Sequence, residues 1–226
     1  MHSSMLHWPD EVLRRAAWTN SPAGGQRTFA KLLVTMTACG LLYGAAMGSY
    51  GAVAGSTHWP LQMLYSAAKV PLLLGATFAI SLPSFYVLNA LFGLGSDFAV
   101  ALRSLLATQV GFTILLVSFA PLTLFWYASD TGYEQALVVN GIMFAAASLG
   151  SQRLLRSYYR PLIAHRPRHR RMLWVWTGLY ALVAIQMAWL LRPFIGSPHN
   201  PVTFFRPEAW DNAYLKLWEL IVRVLW

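Results

Sequence analysis

An arginine-rich stretch, residues 153–171, constrains this chain more than any other feature of its sequence. Seven arginines fall within it, and a long apolar run flanks it on each side. Guanidinium groups this dense cannot enter hydrocarbon, and arginines near the end of a membrane span are retained on the cytoplasmic side during insertion. We therefore predict a cytoplasmic loop that orients the other segments. Its arginines are Arg153, Arg156, Arg160, Arg166, Arg168, Arg170 and Arg171.

The composition agrees with a membrane protein. Of the 226 residues, 57% are hydrophobic and 11% are charged, whereas roughly 25% are charged in a soluble domain. In a soluble protein, the net charge of +9 would suggest nucleic acid as a partner. Here the retention of cationic residues on one side of a membrane explains the charge, so we predict no nucleic-acid partner.

We predict an all-α fold, a bundle of five transmembrane helices with an amphipathic, interfacial C-terminal helix. Residues 1–28 form a cytoplasmic segment, residues 29–196 the transmembrane domain, and residues 197–226 a tail on the outer face. This topology places twelve Lys and Arg residues inside and five outside, as expected in a bacterial inner membrane. The predicted spans are about 29–54, 69–92, 99–127, 133–151 and 172–191.

The tail is too charged to span a bilayer. Between Pro207 and Trp226 its polar residues recur every three or four positions, and aromatic and aliphatic residues occupy the other face. This pattern predicts a helix lying in the plane of the membrane interface.

The first span carries a stripe of small residues. Gly40, Gly44 and Gly48 are spaced by four and therefore share one helix face. Small residues allow helix backbones to approach closely in lipid. The stripe is either a packing seam within this chain, which we favour, or a contact between copies.

The sequence offers little catalytic chemistry. None of the six histidines falls inside a predicted span, Cys39 is the single cysteine, and no hydrolase, nucleotide-binding or zinc-protease motif occurs. His165 and His169 have the spacing of metal ligands on a helix, but they lie among arginines. We predict no catalytic, cofactor or metal site.

The polar residues predicted inside the bilayer are neutral, and the most prominent are Gln109, Asn140 and Gln186. Without an intramembrane carboxylate, a proton-driven transporter is disfavoured. Amides at such positions commonly join helices by hydrogen bonds. Because Asn140 and Gln186 lie at similar depth in neighbouring spans, we expect them to face the interior, where they could bond each other.

Three sequence stretches resemble multi-pass bacterial inner-membrane proteins of unknown activity. They are residues 192–196 (RPFIG), residues 204–207 (FFRP) and residues 82–86 (LPSFY). The resemblance covers most of the chain after residue 60 and implies no activity. The five-span topology is also similar to that of the Yip family of membrane-trafficking proteins.

These observations favour a non-catalytic subunit or scaffold that packs with other membrane polypeptides or with itself. The alternative is a small transporter or channel with a neutral polar cavity, and an intramembrane enzyme ranks third. We predict that the protein's partners include the lipid bilayer itself. The arginines of residues 153–171 could also dock an anionic lipid or an acidic partner, although membrane topology alone explains them.

Overall fold

The computed structural model of the protein describes residues 7–14, 25–129, 132–197 and 201–206. All regular elements in these ranges are helical. They are α1 (His7–Leu13), α2 (Gly25–Gly48), α3 (Tyr50–Val53), α4 (Trp59–Leu91), a 3₁₀ turn (Gly95–Asp97), α5 (Phe98–Ser129), α6 (Tyr133–His165) and α7 (Arg168–Leu191). The interfacial helix predicted over residues 207–226 lies outside the described residues.

Four helical segments are long and apolar enough to cross a membrane. They are Arg27–Val53, Trp59–Leu91, Gly95–Ser129 and Arg168–Leu191. The fold is therefore an all-helical bundle compatible with a membrane protein. The predicted fourth span, now part of α6, is not among the four segments, because polar residues lower its mean hydropathy. They are Glu134 and Gln135 before its apolar run, Asn140 within it, and Gln152 and Arg153 after it.

The prediction of a loop over residues 153–171 is wrong. Helix α6 continues to His165, so Arg153, Arg156 and Arg160 lie on a helix. Arg166 and Pro167 form the break, and Arg168, Arg170 and Arg171 occupy the first turn of α7. Arginine is a strong helix former, so α6 does not end where its apolar pattern ends.

The second long helix also begins earlier than the predicted second span, which starts near residue 69. Helix α4 begins at Trp59 and carries Pro60 in its first turn, while Pro71 lies in its interior. Pro60 was the better signal for the helix start, because proline is favoured at the first positions of a helix. Lys69 consequently lies well inside a helix rather than at its end.

The long helices follow the spatial order α6–α5–α2–α4–α7. Helix α2 packs on both α4 and α5, whereas α4 and α5 hardly touch each other, and α6 and α7 are in limited contact. The arrangement is an incomplete ring whose least closed side lies between α6 and α7. The short helix α1 packs on α5, and its buried Val12 accepts a hydrogen bond from the Tyr158 hydroxyl at 2.8 Å.

The glycine stripe of α2 lies against α4 of the same chain. A Cβ atom at Gly40 would come within 3.3 Å of Pro71, and one at Gly48 within 2.7 Å of the Met63 Cα atom. At Gly44 it would overlap the Ser66 carbonyl oxygen. The close approach of the two backbones therefore requires glycine.

Candidate ligand cavity

The limited contact between α4 and α5 leaves a cavity inside the ring. Its volume is about 400 Å³, within the range typical of small-molecule sites. Helices α4, α5, α6 and α7 all contribute to its wall. Among the described residues that line it, the polar ones are neutral: Thr77, Thr108, Gln109, Ser148, Ser151, Gln152, Thr177 and Tyr180.

Gln109 is the central polar group of this cavity. Its Oε1 atom accepts a hydrogen bond from the Tyr180 hydroxyl at 3.0 Å, which connects α5 to α7. Three of the six lining hydroxyls instead donate to their own helices: Thr108 bonds the Ser104 carbonyl, Ser151 the Ser148 carbonyl and Thr177 the Leu173 carbonyl. Such hydroxyls retain acceptor capacity toward a ligand.

Thr77 is the exception among the lining hydroxyls. Its side chain is buried, and its Oγ1 atom finds no hydrogen-bond partner among the described residues. An unpaired buried hydroxyl costs on the order of 1–3 kcal/mol. Because protein also covers the Oγ1 atom, a bound molecule would reach this hydroxyl only after the cavity wall adjusted.

Aromatic packing holds α7 against α4 beside the cavity. The Trp176 ring meets Phe85 edge to face at 4.6 Å between centroids, and it also contacts Phe78 and Tyr180. Aromatic pairs of this kind contribute about 0.5–1.5 kcal/mol beyond their burial. Helix α7 is thus fixed along α4. Its ring contacts with α6 lie in its first turns, where Tyr159 meets the His169 ring and Arg156 lies over the Trp174 ring.

A second cavity of about 540 Å³ adjoins the first and shares Leu73, Phe144 and Ala188 with it. It lies where α7 ends and α6 begins. Arg192 and Arg206 form part of its wall.

Asn140 lines the second cavity, but its amide is engaged by protein. Its Nδ2 group donates to the Tyr127 hydroxyl at 2.7 Å and to the Ala136 carbonyl at 2.8 Å. Its Oδ1 atom accepts from the Tyr43 hydroxyl at 3.2 Å. Asn140 therefore joins α2, α5 and α6, and its partners are tyrosines rather than Gln186. Gln186 is half-buried and lines neither cavity.

The chain after α7 forms a strap, residues 192–197 and 201–206, that packs on α4. Lys69 is fully buried, and its ammonium donates to the Pro193 carbonyl at 2.7 Å and approaches the Thr203 carbonyl at 3.5 Å. The Phe194 carbonyl accepts from Gln62 at 3.0 Å and also from Ser66. Three polar side chains of α4 thereby anchor the strap that carries both arginines.

The opposite end of the bundle, which we call the basic end, is held by an ionic cluster. His169 is buried, and its Nε2 atom lies 3.0 Å from an Asp97 carboxylate oxygen. Arg166 lies 3.6 Å from the same oxygen and donates to the Gly93 carbonyl at 3.3 Å. The cluster ties the turn before α5 to the turn before α7.

The other arginines of the basic end stay at the surface. Arg166 is half-buried in the ionic cluster, and the remaining six are exposed: Arg153, Arg156, Arg160, Arg168, Arg170 and Arg171. Across the described ranges, no group of three or more His, Cys, Asp or Glu side chains could hold a metal ion.

The sequence indicated Gln109 and Thr77 as neutral polar residues of the interior, but it did not indicate the other residues that line the cavity. Thr77, Tyr180, Arg192 and Arg206 become neighbours only through the ring arrangement, and no spacing in the sequence reports that arrangement. No protein-family model matches the chain, and neither the curated proteins nor the solved structures include one that is detectably similar to it.

Proposed function

We propose that this protein binds a small molecule within the membrane, as a small transporter or carrier with a neutral polar cavity. The observation that carries this proposal is the cavity between α4, α5, α6 and α7, whose wall includes Gln109 and Thr77. The limited contact between α6 and α7 supplies a lateral route from the bilayer. We assign no catalytic role.

The test fills the cavity and asks whether a bound molecule is lost. Ala184 lines the cavity, whereas Leu182 is 54% exposed on the same helix. Native mass spectrometry of gently extracted protein should detect a small molecule on the wild type and on Leu182→Trp, with at least tenfold lower occupancy on Ala184→Trp. A molecule retained equally by all three, or none on the wild type, would contradict the proposal.

A second variant of unchanged shape provides a test that does not depend on whether Ala184→Trp folds. Thr77→Val keeps the shape of the side chain but removes the unpaired hydroxyl. We expect it to stabilise the ligand-free protein by about 1 kcal/mol while weakening retention of the molecule, because a buried unpaired hydroxyl is costly only until a ligand pairs it. Unchanged retention together with unchanged stability would count against a ligand at Thr77.

The topology that we propose for this function has five spans, with α6 as the fourth. Helix α6 is as long as α4 and packs along α5. The proposed location is the bacterial inner membrane, with the N-terminus and the basic end cytoplasmic and the C-terminal tail outside. The positive-inside rule supports this orientation.

A scaffold or accessory subunit is the second candidate function. In the most apolar stretch of α7 only 11% of the residues are buried, against 39–50% in the other three candidate spans. This surface includes Trp174 and Leu182, which are exposed. A partner polypeptide that copurifies with the wild type, but not with a Trp174→Ala, Leu182→Ala variant, would favour this role.

A further inference from the structure

The second cavity differs from the first in its charge. Arg192 and Arg206 lie in its wall, and among the described residues that line it there is no aspartate or glutamate. The ammonium of Lys69 lies under the same strap, bonded to the carbonyls of Pro193 and Thr203. Three cationic side chains therefore gather at the end of the bundle opposite the basic end.

The two arginines are held in place by the strap. Arg192 follows the last turn of α7, and its guanidinium stacks on the Trp189 ring. Arg206 ends the described part of the strap, next to Phe204, whose ring contacts Tyr65 of α4 at 5.2 Å. A site made by a strap fixed on α4 needs little reorganisation when an anion binds.

The cationic cavity adjoins the neutral one. Leu73, Phe144 and Ala188 belong to both walls, so the two spaces are neighbours along α7. The first cavity is otherwise bounded mainly by apolar side chains such as Leu105 and Ile185. A molecule that occupied both would need an anionic end and an apolar body.

We propose that the ligand is an anionic lipid whose phosphate is held by Arg192 and Arg206 and whose chain enters the cavity between α6 and α7. This inference rests on the proposed ligand-binding function and names the class of ligand. Guanidinium groups pair with phosphate through strong, geometrically matched hydrogen bonds. Basic pockets between membrane helices bind anionic headgroups on the cytoplasmic side of membranes, and the same pairing of charges applies to the pocket at the outer end of this bundle. The site is separate from the arginines of residues 153–171, which lie at the basic end.

The test compares two lipids with the same chains. Purified full-length protein is titrated with dioleoyl phosphatidylglycerol, with dioleoyl phosphatidylcholine, and with glycerol phosphate as the headgroup alone. We expect the wild type to prefer phosphatidylglycerol over phosphatidylcholine. Arg206→Gln should weaken binding of the anionic lipid about tenfold, the effect of losing one charge-assisted hydrogen bond. Arg27→Gln, at an exposed arginine of α2 outside residues 153–171, should leave it unchanged.

Two further variants separate failure of this inference from failure of the proposed function. Ala184→Trp fills the first cavity, and Ala188→Phe narrows the junction between the two; both should weaken phosphatidylglycerol binding at least tenfold. Equal affinity for the two lipids, equal effects of Arg206→Gln and Arg27→Gln, or glycerol phosphate binding as tightly as the lipid would overturn the anionic-lipid assignment. The proposed function would survive if Ala184→Trp still removed a bound molecule. Binding unaffected by either cavity variant would overturn both.

Discussion

Lys69 is a charged residue deep in an apolar helix, and such residues persist in membrane proteins only with partners. Its partners are backbone carbonyls of the strap and the face of the Phe204 ring, 5.1 Å from Nζ. Because the sequence places a lysine next to Pro71, it favours a helix end at this position. Lys69 can be buried because carbonyl groups more than a hundred positions later in the chain accept hydrogen bonds from its ammonium group.

We therefore expect Lys69→Met to release the strap. The carbonyl of Pro193 would lose its hydrogen bond from an ammonium group, which contributes about 1.5–3 kcal/mol to stability. Limited proteolysis should then cleave within residues 193–206 faster than in the wild type, and thermal stability should fall. Lys31→Met, at an exposed lysine of α2, is the matched control. Equal protease resistance of the two variants would mean that Lys69 does not anchor the strap.

The second residue-scale prediction concerns Asn140. Its hydrogen bonds to Tyr43 and Tyr127 predict coupling in a double-mutant cycle of Asn140→Leu with Tyr127→Phe. Coupling energies for such pairs in bilayers average about 0.6 kcal/mol. The cycle of Asn140→Leu with Gln186→Leu should be additive. The hydrogen bonds of Asn140 go to Tyr43, Tyr127 and Ala136, and none of these residues belongs to α7, which carries Gln186. Both cycles are measured as free energies of unfolding. Coupling between Asn140 and Gln186, together with additivity between Asn140 and Tyr127, would support the pairing expected from the sequence.

At the scale of the element, apolar periodicity located the helices better than it located their ends. Helix α5, Phe98–Ser129, lies within two residues of the predicted span because a polar turn precedes it and polar residues follow it. Helices α4 and α6 extend beyond their predicted spans. Each has 33 residues and is about 50 Å long, whereas a hydrocarbon core is only about 30 Å thick. Hydropathy identifies the part of a helix that can lie in hydrocarbon, but it does not indicate how far the helix continues beyond that part.

The α2–α4 contact gives an element-scale prediction. Gly44→Ala would place a methyl group against the Ser66 carbonyl and 2.8 Å from the Ala67 Cα atom, so the two backbones would have to separate. Overpacking of this kind costs typically about 1–3 kcal/mol, which should appear as a lower unfolding free energy. Gly75→Ala is the control, because a Cβ atom there meets nothing within 4 Å. Equal stability of the two variants would show that the helices can move apart without cost.

At the scale of the whole molecule, the cavity could not be predicted from sequence because it depends on which helices do not touch. Gln109 was recognisable as an unusual residue within an apolar run. That Tyr180 binds it, and that Thr77 faces the same space, follows from the ring order α6–α5–α2–α4–α7. Hydrophobic patterns specify that a helix is buried or lipid-facing, but they carry no information about neighbours.

The proposed topology makes a prediction for the intact cell. In a Cys39→Ser background, a cysteine at Ser157 of α6 should resist an impermeant thiol reagent, because the surrounding arginines hold this region in the cytoplasm. A cysteine at Ser129, the last residue of α5, should react. Permeabilised cells provide the control, since both positions should then be labelled. Labelling at position 157 in sealed cells would exclude the proposed orientation.

The ionic cluster at the basic end has a mechanical consequence. Helices α6 and α7 are joined there by Arg166 and Pro167 alone, and the bonds of Arg166 and His169 to Asp97 fix this joint to the turn before α5. Any separation of the two helices must then occur as rotation about a pivot at that end. Helix α7 has 24 residues and is about 36 Å long, so a tilt of about 10° would move its far end by about 6 Å. Because the strap ties that end to α4, α4 would have to move with it. The gap between α6 and α7 would then widen at the end that carries Arg192 and stay closed at the end that carries Asp97.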